Sequence, residues 1–309
     1  MTDTDPAFLA EVLDGLSQPQ KTLHPKWLYD LRGSELFEEI TDVPEYYPTR
    51  TEATIFARAF PELHEMLPNI RAVIEYGSGS SKKTGPLLEA LKPEIYVPSD
   101  ISEEFLKDAA TDLQDQHPDV DVIPLVADFT EPISLPSGLG APEERLGFFP
   151  GSTIGNFEPG TAVPFLSRVR TSLGDGAYFL ISGDLIKSRE ILEAAYDDAG
   201  GVTAAFNLNL LTRMNRELGA DFDEDGFVHR SVWNADLSRV EMHLVATRPQ
   251  TVTIDGKRFD FAEGETIHTE NSYKYTVDGF EEMGARAGWS LAKYWTDEND
   301  LFGVFLLKG

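Results

Sequence analysis

Apolar positions between residues 71 and 186 fall into two alternating patterns, short continuous runs and longer stretches at helical spacing. Ala72-Val73-Ile74 opens a buried strand over 71–76, and a helix is predicted near 82–91. A strand over 94–98 and a helix over 102–115 repeat the unit. VDVIPLVADF predicts a third strand and LGFFPGST a fourth. A helix over 161–172 then leads through Gly174-Asp175-Gly176 into the strand AYFLISGDL. Strands alternating with helices predict a parallel sheet covered on both faces. Ahead of this region, residues 6–16, SELFEEIT (stopped before Pro44) and TEATIFARAFPELHEML carry helical patterns.

After residue 186 the pattern changes. Residues 187–220 read as largely helical, and 227–275 as short alternating strands with a hairpin signal at Asp255-Gly256. Such a block does not extend a doubly wound sheet, so it reads as an insertion. A helix near 277–287 and two strands, GWSLAKYWT and LFGVFLLKG, close the chain. A parallel sheet ending in an antiparallel pair resembles the class I S-adenosylmethionine-dependent methyltransferases. The fold class expected is therefore α/β, a Rossmann-like sheet with an inserted α+β substrate-binding domain. Residues 51–186 plus 277–309 are assigned to the cofactor-binding core, and 1–50 plus 187–276 to a substrate-binding lid.

Charge narrows the partners. The 309 residues carry 26 Lys and Arg against 53 Asp and Glu, a formal charge of −27. Nucleic-acid backbones are bound through clustered Lys and Arg, so no nucleic-acid partner is expected. There is no cysteine. That excludes disulfides, thiol nucleophiles and Cys-ligated zinc, and fits a reducing cytoplasm. The opening MTDTDPAFLAEVLDGLSQ lacks the basic and apolar segments of a signal peptide. No apolar run approaches the roughly 20 residues of a membrane span. A soluble, cytoplasmic monomer without a membrane partner is expected. The six histidines show no H-x-x-x-H or H-x-x-E spacing, and the acidic run 221–226 lacks a complete calcium-loop pattern. No metal is expected.

The first strand runs into Glu75-Tyr76-Gly77-Ser78-Gly79. A phosphate-binding P-loop needs a further Gly where Lys82 stands, and the dinucleotide fingerprint needs its third Gly at the same place. The loop is thus shaped for a ligand other than a pyrophosphate, with glycines that let backbone approach it closely. Asp100 ends the second strand, where a carboxylate can accept both ribose hydroxyls. Asp128-Phe129 ends the third, where Asp can bond an adenine amino group and Phe129 can flank the ring. In an open α/β sheet ligands lie at these carboxyl ends, so the three signals together indicate a nucleoside site. Lys83 is placed to meet a ligand carboxylate.

More specific strings follow. KWLYDLRGSELFEEITDVPEYYPTRTE (26–52), GSTIGNF (151–157), AAYDDAGGVTAAFN (194–207), RELGADFD (216–223), VEMHLVA (240–246), HTENSYKY (268–275) and WTDENDLFG (295–303) resemble the histidine-specific Nα-methyltransferases of ergothioneine biosynthesis. The resemblance covers nearly the whole chain in the family's order. It implies transfer of methyl groups from S-adenosylmethionine to the α-amine of L-histidine, three times to give hercynine, with S-adenosylhomocysteine as by-product. By position, Asn156 and Tyr196 are implied at the carboxylate and amine of the amino acid. Tyr29 and Tyr46 would line the path of the amine and methyl group, Glu270 and Ser272 would contact the imidazole, and Met242 would pack against it. Gly77, Lys83, Asp100, Asp128, Phe129 and Gly151 match the cofactor positions.

Elementary chemistry agrees with these roles. A carboxylate accepts from a ring N–H, and a hydroxyl donates or accepts at the other nitrogen. Glu270 and Ser272, two apart in a strand, share a face. Tyrosine walls suit a sulfonium and a growing quaternary ammonium. Three other readings stay open at this point: a tryptophan-derived or other amine as acceptor, a sensor that binds the cofactor without turnover, and an NAD-dependent dehydrogenase.

Overall fold

The computed structural model describes residues 5–79 and 83–309, and the side chains of all of these but Glu104 and Phe105. The chain divides into two compact units, Pro48–Ile186 with Tyr275–Gly309, and Met1–Tyr47 with Lys187–Lys274. No helix among the described residues is long and apolar enough to cross a membrane.

The first of these units is built on an eight-stranded sheet. In spatial order its main path runs Ser290–Thr296, Phe302–Lys308, Tyr178–Asp184, Arg145–Phe149, Ala72–Tyr76, Ile95–Asp100 and Asp121–Val122. The five from Tyr178–Asp184 to Asp121–Val122 are parallel, and the final two strands of the chain add antiparallel at one edge. Alternation along each strand feeds two apolar layers. Val73, Phe148, Leu180 and Leu306 face Phe56, Phe60, Leu63 and Leu87. Their neighbours Ile74, Phe149, Ile181 and Phe305 face Phe165, Leu166, Phe280 and Trp289. A period of two with both faces covered by helices is what the sequence pattern predicts.

The third predicted strand is the one that differs. VDVIPLVADF forms two short pieces, Asp121–Val122 and Leu125–Val126, both beside Ile95–Asp100. Pro124 lies between them and has no N–H to give the ladder, so pairing stops and restarts. The helix expected from 82 runs Thr84–Leu91, and Lys82 itself lies outside the described residues. From Ala72–Tyr76 the chain moves first to one side of the sheet and later returns to the other. That reversal leaves a crevice at the carboxyl end of Ala72–Tyr76, where ligands of open α/β sheets bind.

The other unit holds a four-stranded sheet in the order Lys21–Thr22, Thr266–Tyr273, Arg239–Ala246, Phe227–Asn234. Lys21–Thr22 joins in parallel, and the remaining pairs are antiparallel. Helices Leu31–Asp42 and Val202–Leu218 also belong to this unit. The hairpin signal forms Gln250–Ile254 and Lys257–Phe261, turning at Asp255 (φ 48°) and Gly256 (φ 75°). Two successive positive φ values are those of a type I′ turn, which suits the twist of a hairpin.

Candidate functional site

In the sheet unit the glycine loop is anchored from below by a buried carboxylate. Glu75, with 1% of its surface exposed, accepts from Thr84 Oγ1 (2.5 Å) and Tyr96 O–H (2.6 Å), both at Oε2. Burial pushes its carboxyl up to about 7, against the lowering effect of those two bonds and of Lys83. Above it the loop turns through Gly77 at φ 68°. A Cβ there would stand 2.9 Å from the Phe129 ring, so glycine is required both by the turn and by the phenylalanine lying over it. Gly79 N–H reaches Asp100 Oδ2 (3.2 Å), while Asp100 Oδ1 accepts from Ser102 N–H (3.0 Å). Asp128 Oδ1 accepts from the N–H (2.8 Å) and hydroxyl (2.6 Å) of Thr130, which fixes the carboxylate at its strand end.

A second cluster adjoins this loop. Glu52, in helix Tyr47–Met66 and 1% exposed, takes the Gly151 N–H at Oε1 (2.6 Å) and the Lys83 ammonium at Oε2 (2.6 Å). Lys83 is thus answered by a protein carboxylate, and its remaining donors are what a ligand carboxylate would use. Sequence reasoning missed Glu52. Its only signal was a place in the string PEYYPTRTE, where a helical glutamate looks like any solvated one.

These residues fit S-adenosylmethionine. The Ser78 hydroxyl is buried without a hydrogen-bond partner, and an added Cβ at Gly79 would meet nothing within 4 Å. A buried polar atom beside open space is what a polar ligand resting on the loop would satisfy. Asp100 keeps acceptor capacity for a diol, and Phe129 offers an aromatic face.

The other unit assembles six of the seven residues expected around the acceptor. Tyr29 follows the short 3-10 helix Pro25–Leu28 and precedes Asp30, the N-cap of Leu31–Asp42. Asp30 is held by Gly33 N–H (2.8 Å), Asn209 (2.8 Å) and Arg216 (2.6 Å), so the tyrosine projects from a pinned corner. Its ring packs edge-on against Phe37 (5.6 Å) and Phe206 (5.4 Å), and Tyr46 lies 6.1 Å from Tyr196. Tyr29 leaves 39% of its surface open to solvent. Burial first, then the charge of Glu270 and the neighbouring Tyr46 and Tyr196, raises its pKa well above the usual range. The phenol keeps its proton at neutral pH.

Glu270 and Ser272 are buried on strand Thr266–Tyr273, and Met242 is the direct cross-strand partner of Glu270. A register shift at Thr269, whose hydroxyl bonds Met242 C=O (3.0 Å), adds a residue just before this pair. Ser272 Oγ lies 2.8 Å from Tyr196 O–H. Lys274, only 3% exposed, donates to both hydroxyl oxygens at 2.7 Å and lies 4.6 Å from the centre of the Tyr196 ring. Lys274 is a second residue that sequence reasoning missed. Asn156, the seventh expected residue, ends the 3-10 helix Thr153–Asn156 in the sheet unit.

Two of the six histidines, His243 and His268, meet in space. His243 and His268 are cross-strand partners, and Glu241 completes a trio whose ligand atoms lie within 4.8 Å of one another. The imidazoles stack 4.6 Å apart at 22°, so their lone pairs run in nearly parallel planes rather than toward one point. Glu241 is already bound by Asn234 (2.9 Å), Arg239 (2.8 Å) and His243 (3.1 Å). Burial opposes its ionisation, but those bonds outweigh it and hold the carboxyl at about 2. Burial lowers both histidines. The cluster is a stack of two imidazoles resting on the Arg239–Glu241 ion pair.

Comparison with known proteins follows the same lines. The family model for histidine-specific, S-adenosylmethionine-dependent methyltransferases matches residues 8–309. The chain is 40% identical over 306 residues to histidine N-alpha-methyltransferase of Mycolicibacterium smegmatis, covering 97% of this chain and 94% of that one. It is also 40% identical over 307 residues to the enzyme of the same description from Mycobacterium tuberculosis, with coverage of 97% and 94%. Among solved structures, an S-adenosylmethionine-dependent methyltransferase from Clostridium acetobutylicum aligns with a TM-score of 0.51 at 13% identity, over 89% of this chain and 98% of that one. That last likeness bears on the fold alone.

Proposed function

The chain belongs to the S-adenosylmethionine-dependent histidine-specific methyltransferases, and from that premise we infer that it transfers methyl groups to the α-amine of L-histidine. One observation carries the choice of acceptor: a buried carboxylate and a buried hydroxyl, Glu270 and Ser272, stand two apart on one strand with Met242 opposite. That set matches a five-membered ring with an N–H, an acceptor nitrogen and an apolar face. The sheet unit is read as the cofactor-binding part and the other unit as the acceptor-binding part. Gly77, Asp100, Asp128, Phe129 and Gly151 would hold S-adenosylmethionine, with Lys83 turned to its carboxylate. Asn156 and Tyr196 are assigned to the amino-acid end of the acceptor.

When bound, S-adenosylmethionine supplies an electrophilic methyl on a sulfonium. The chain's own task is to hold a neutral amine in line with it, and alignment of this kind lowers a barrier by several kcal/mol. A protonated phenol at Tyr29 cannot serve as a phenolate base. It can accept an amine N–H at its oxygen and orient the lone pair, with Tyr46 walling the other side. Three successive transfers, giving the trimethylated betaine hercynine, are proposed because these tyrosine rings tolerate a growing ammonium through cation–π attraction. Both ligands are small and one chain carries both sets of residues, so a cytoplasmic monomer is the accompanying reading.

The test offers the protein S-adenosylmethionine with an equimolar mixture of the twenty amino acids, followed by mass spectrometry. Gain of methyl groups on L-histidine alone is expected, ending at three. Glu270→Gln should raise the KM for L-histidine about 10- to 100-fold, the loss of one charge-assisted hydrogen bond, with S-adenosylhomocysteine affinity unchanged. Methylation of another amino acid, or unaltered L-histidine kinetics in Glu270→Gln, would overturn the assignment.

A further inference from the structure

We propose that Glu52 is a positioning residue for the cofactor, whose two carboxylate oxygens fix Lys83 and Gly151 so that the lysine meets the ligand's own carboxylate. This rests on the assignment of Lys83 to that carboxylate above and deepens it.

A lysine ammonium is strongly hydrated and rides on a flexible four-carbon stem, so an unrestrained lysine is a poorly aimed donor. Lys83 stands just ahead of helix Thr84–Leu91 with 32% of its side chain exposed. Glu52 aims it. That residue lies near the start of helix Tyr47–Met66, which Ile55, Phe56, Ala59 and Phe60 anchor in the core. Glu52 is fully buried, with Oε2 2.6 Å from Lys83 Nζ and Oε1 accepting the Gly151 N–H at 2.6 Å. Lys83 follows strand Ala72–Tyr76 and Gly151 follows Arg145–Phe149, its parallel neighbour. One carboxylate on a rigid helix thus ties together the ends of two adjacent strands at the cofactor crevice. Gly151 complements it: φ is 81°, and an added Cβ would stand 3.2 Å from Lys83 Nζ, so glycine leaves the ammonium its path.

Glu52 has two opposing effects on a ligand carboxylate. Its negative charge partly cancels the attraction of Lys83 for an anion, while its grip holds the ammonium in place before the ligand arrives. The grip wins, because a ligand meeting an unheld lysine must order that side chain itself, a cost that preorganisation removes. A neutral side chain cannot replace it. A carboxylate only accepts, and the two groups facing it, an ammonium and a backbone N–H, only donate. Glutamine would bring one acceptor oxygen and an NH2 group, which sets donor against donor at one of the two contacts.

The test is calorimetry with S-adenosylhomocysteine and with 5′-methylthioadenosine, which shares the adenosine and the sulfur but has no amino-acid end. The readout is the ratio of the second Kd to the first, the advantage conferred by that end. Glu52→Gln should reduce the ratio about tenfold, the loss of one charge-assisted hydrogen bond, with the 5′-methylthioadenosine Kd unchanged. Glu52→Asp keeps the charge but withdraws it by one methylene; it should reduce the ratio as well, and carries the test if Glu52→Gln does not fold. Lys83→Met should reduce the ratio at least as much, and adding Glu52→Gln to Lys83→Met should reduce it no further. A purely structural role would weaken both ligands alike and leave the ratio where it was. An unchanged or increased ratio in the folded Glu52 variant, or a further drop in the double variant, overturns the proposal while leaving Lys83 at the ligand carboxylate. A ratio that survives Lys83→Met overturns the assignment of Lys83 itself.

Discussion

Replacing Glu75 by Gln should make the protein more stable at pH 8 and leave it nearly unchanged at pH 4.5. The carboxyl is buried in the sheet beneath the glycine loop, and its pKa is pushed up to about 7 from an ordinary value of 4.5. A raised acid binds its proton more tightly in the folded state than in the unfolded one. Its contribution is therefore fully present below pH 4.5 and is lost as pH rises through about 7. At about 1.4 kcal/mol per pH unit, the difference amounts to about 3 kcal/mol between those limits. Gln keeps the shape, and its carbonyl oxygen can accept from Thr84 and Tyr96 as Oε2 does. Its uncharged amide removes the titration. The assay is urea denaturation followed by tryptophan fluorescence at half-unit steps from pH 4.5 to 8. The difference between variant and wild type, not either curve alone, isolates Glu75 from the many surface carboxylates. It should grow steadily in favour of the variant to about 3 kcal/mol. Parallel stability curves would refute the reasoning and place an ionised, fully compensated carboxylate at this position.

Two further predictions concern the two units separately. Gly77→Ala must hold an L-residue at φ 68° and seat a Cβ 2.9 Å from Phe129; it should cost about 1–3 kcal/mol in denaturation and weaken S-adenosylhomocysteine at least about tenfold, and an unchanged calorimetric Kd would show that Phe129 does not flank the ligand. Asp30→Ala removes a helix cap together with the Asn209 and Arg216 contacts, and should destabilise by about 2 kcal/mol and raise the KM for L-histidine through the neighbouring Tyr29. Burial opposes ionisation of Asp30, but Arg216, Gly33 and Asn209 hold its pKa down, so this stabilisation should be present at neutral pH and vanish as pH falls through the lowered value. A variant whose urea midpoint stays parallel to wild type from pH 7 to 3 would contradict it.

Much of the architecture was legible because period and length are local properties of the chain. A run such as Ala72-Val73-Ile74 before glycines can be little else than a buried strand, and Asp255-Gly256 fixes a turn by its backbone demands alone. Pro124 shows the limit: its missing N–H splits a strand whose apolar pattern is continuous. Asp100, Asp128 and Phe129 were read from strand ends, whereas the acceptor-side tyrosines and Glu270 came from family strings, which carry order along the chain but not environment. Lys274 and Glu52 were invisible for a physical reason. A charged residue is normally solvated, and nothing local reveals that distant partners, Tyr196 for one and Gly151 for the other, make burial tolerable. The His243–His268 stack required the cross-strand register, which spacing cannot supply.

The two-residue strand Lys21–Thr22 pairs in parallel with Ile267 and His268, on a strand that begins some 245 residues later. During synthesis the segment bearing Tyr29 and Tyr46 therefore emerges long before the strand that completes its sheet. By contrast, the parallel strands from Ala72–Tyr76 to Tyr178–Asp184 follow one another with much shorter intervals. Closing so long a loop is slow, and a waiting segment exposes apolar residues such as Phe8, Val12 and Trp27 that the finished unit buries. A ribosome stalled near residue 190 should thus carry a protease-sensitive N-terminal tail, and the tail's protection should appear only once residues 266–274 are free to fold.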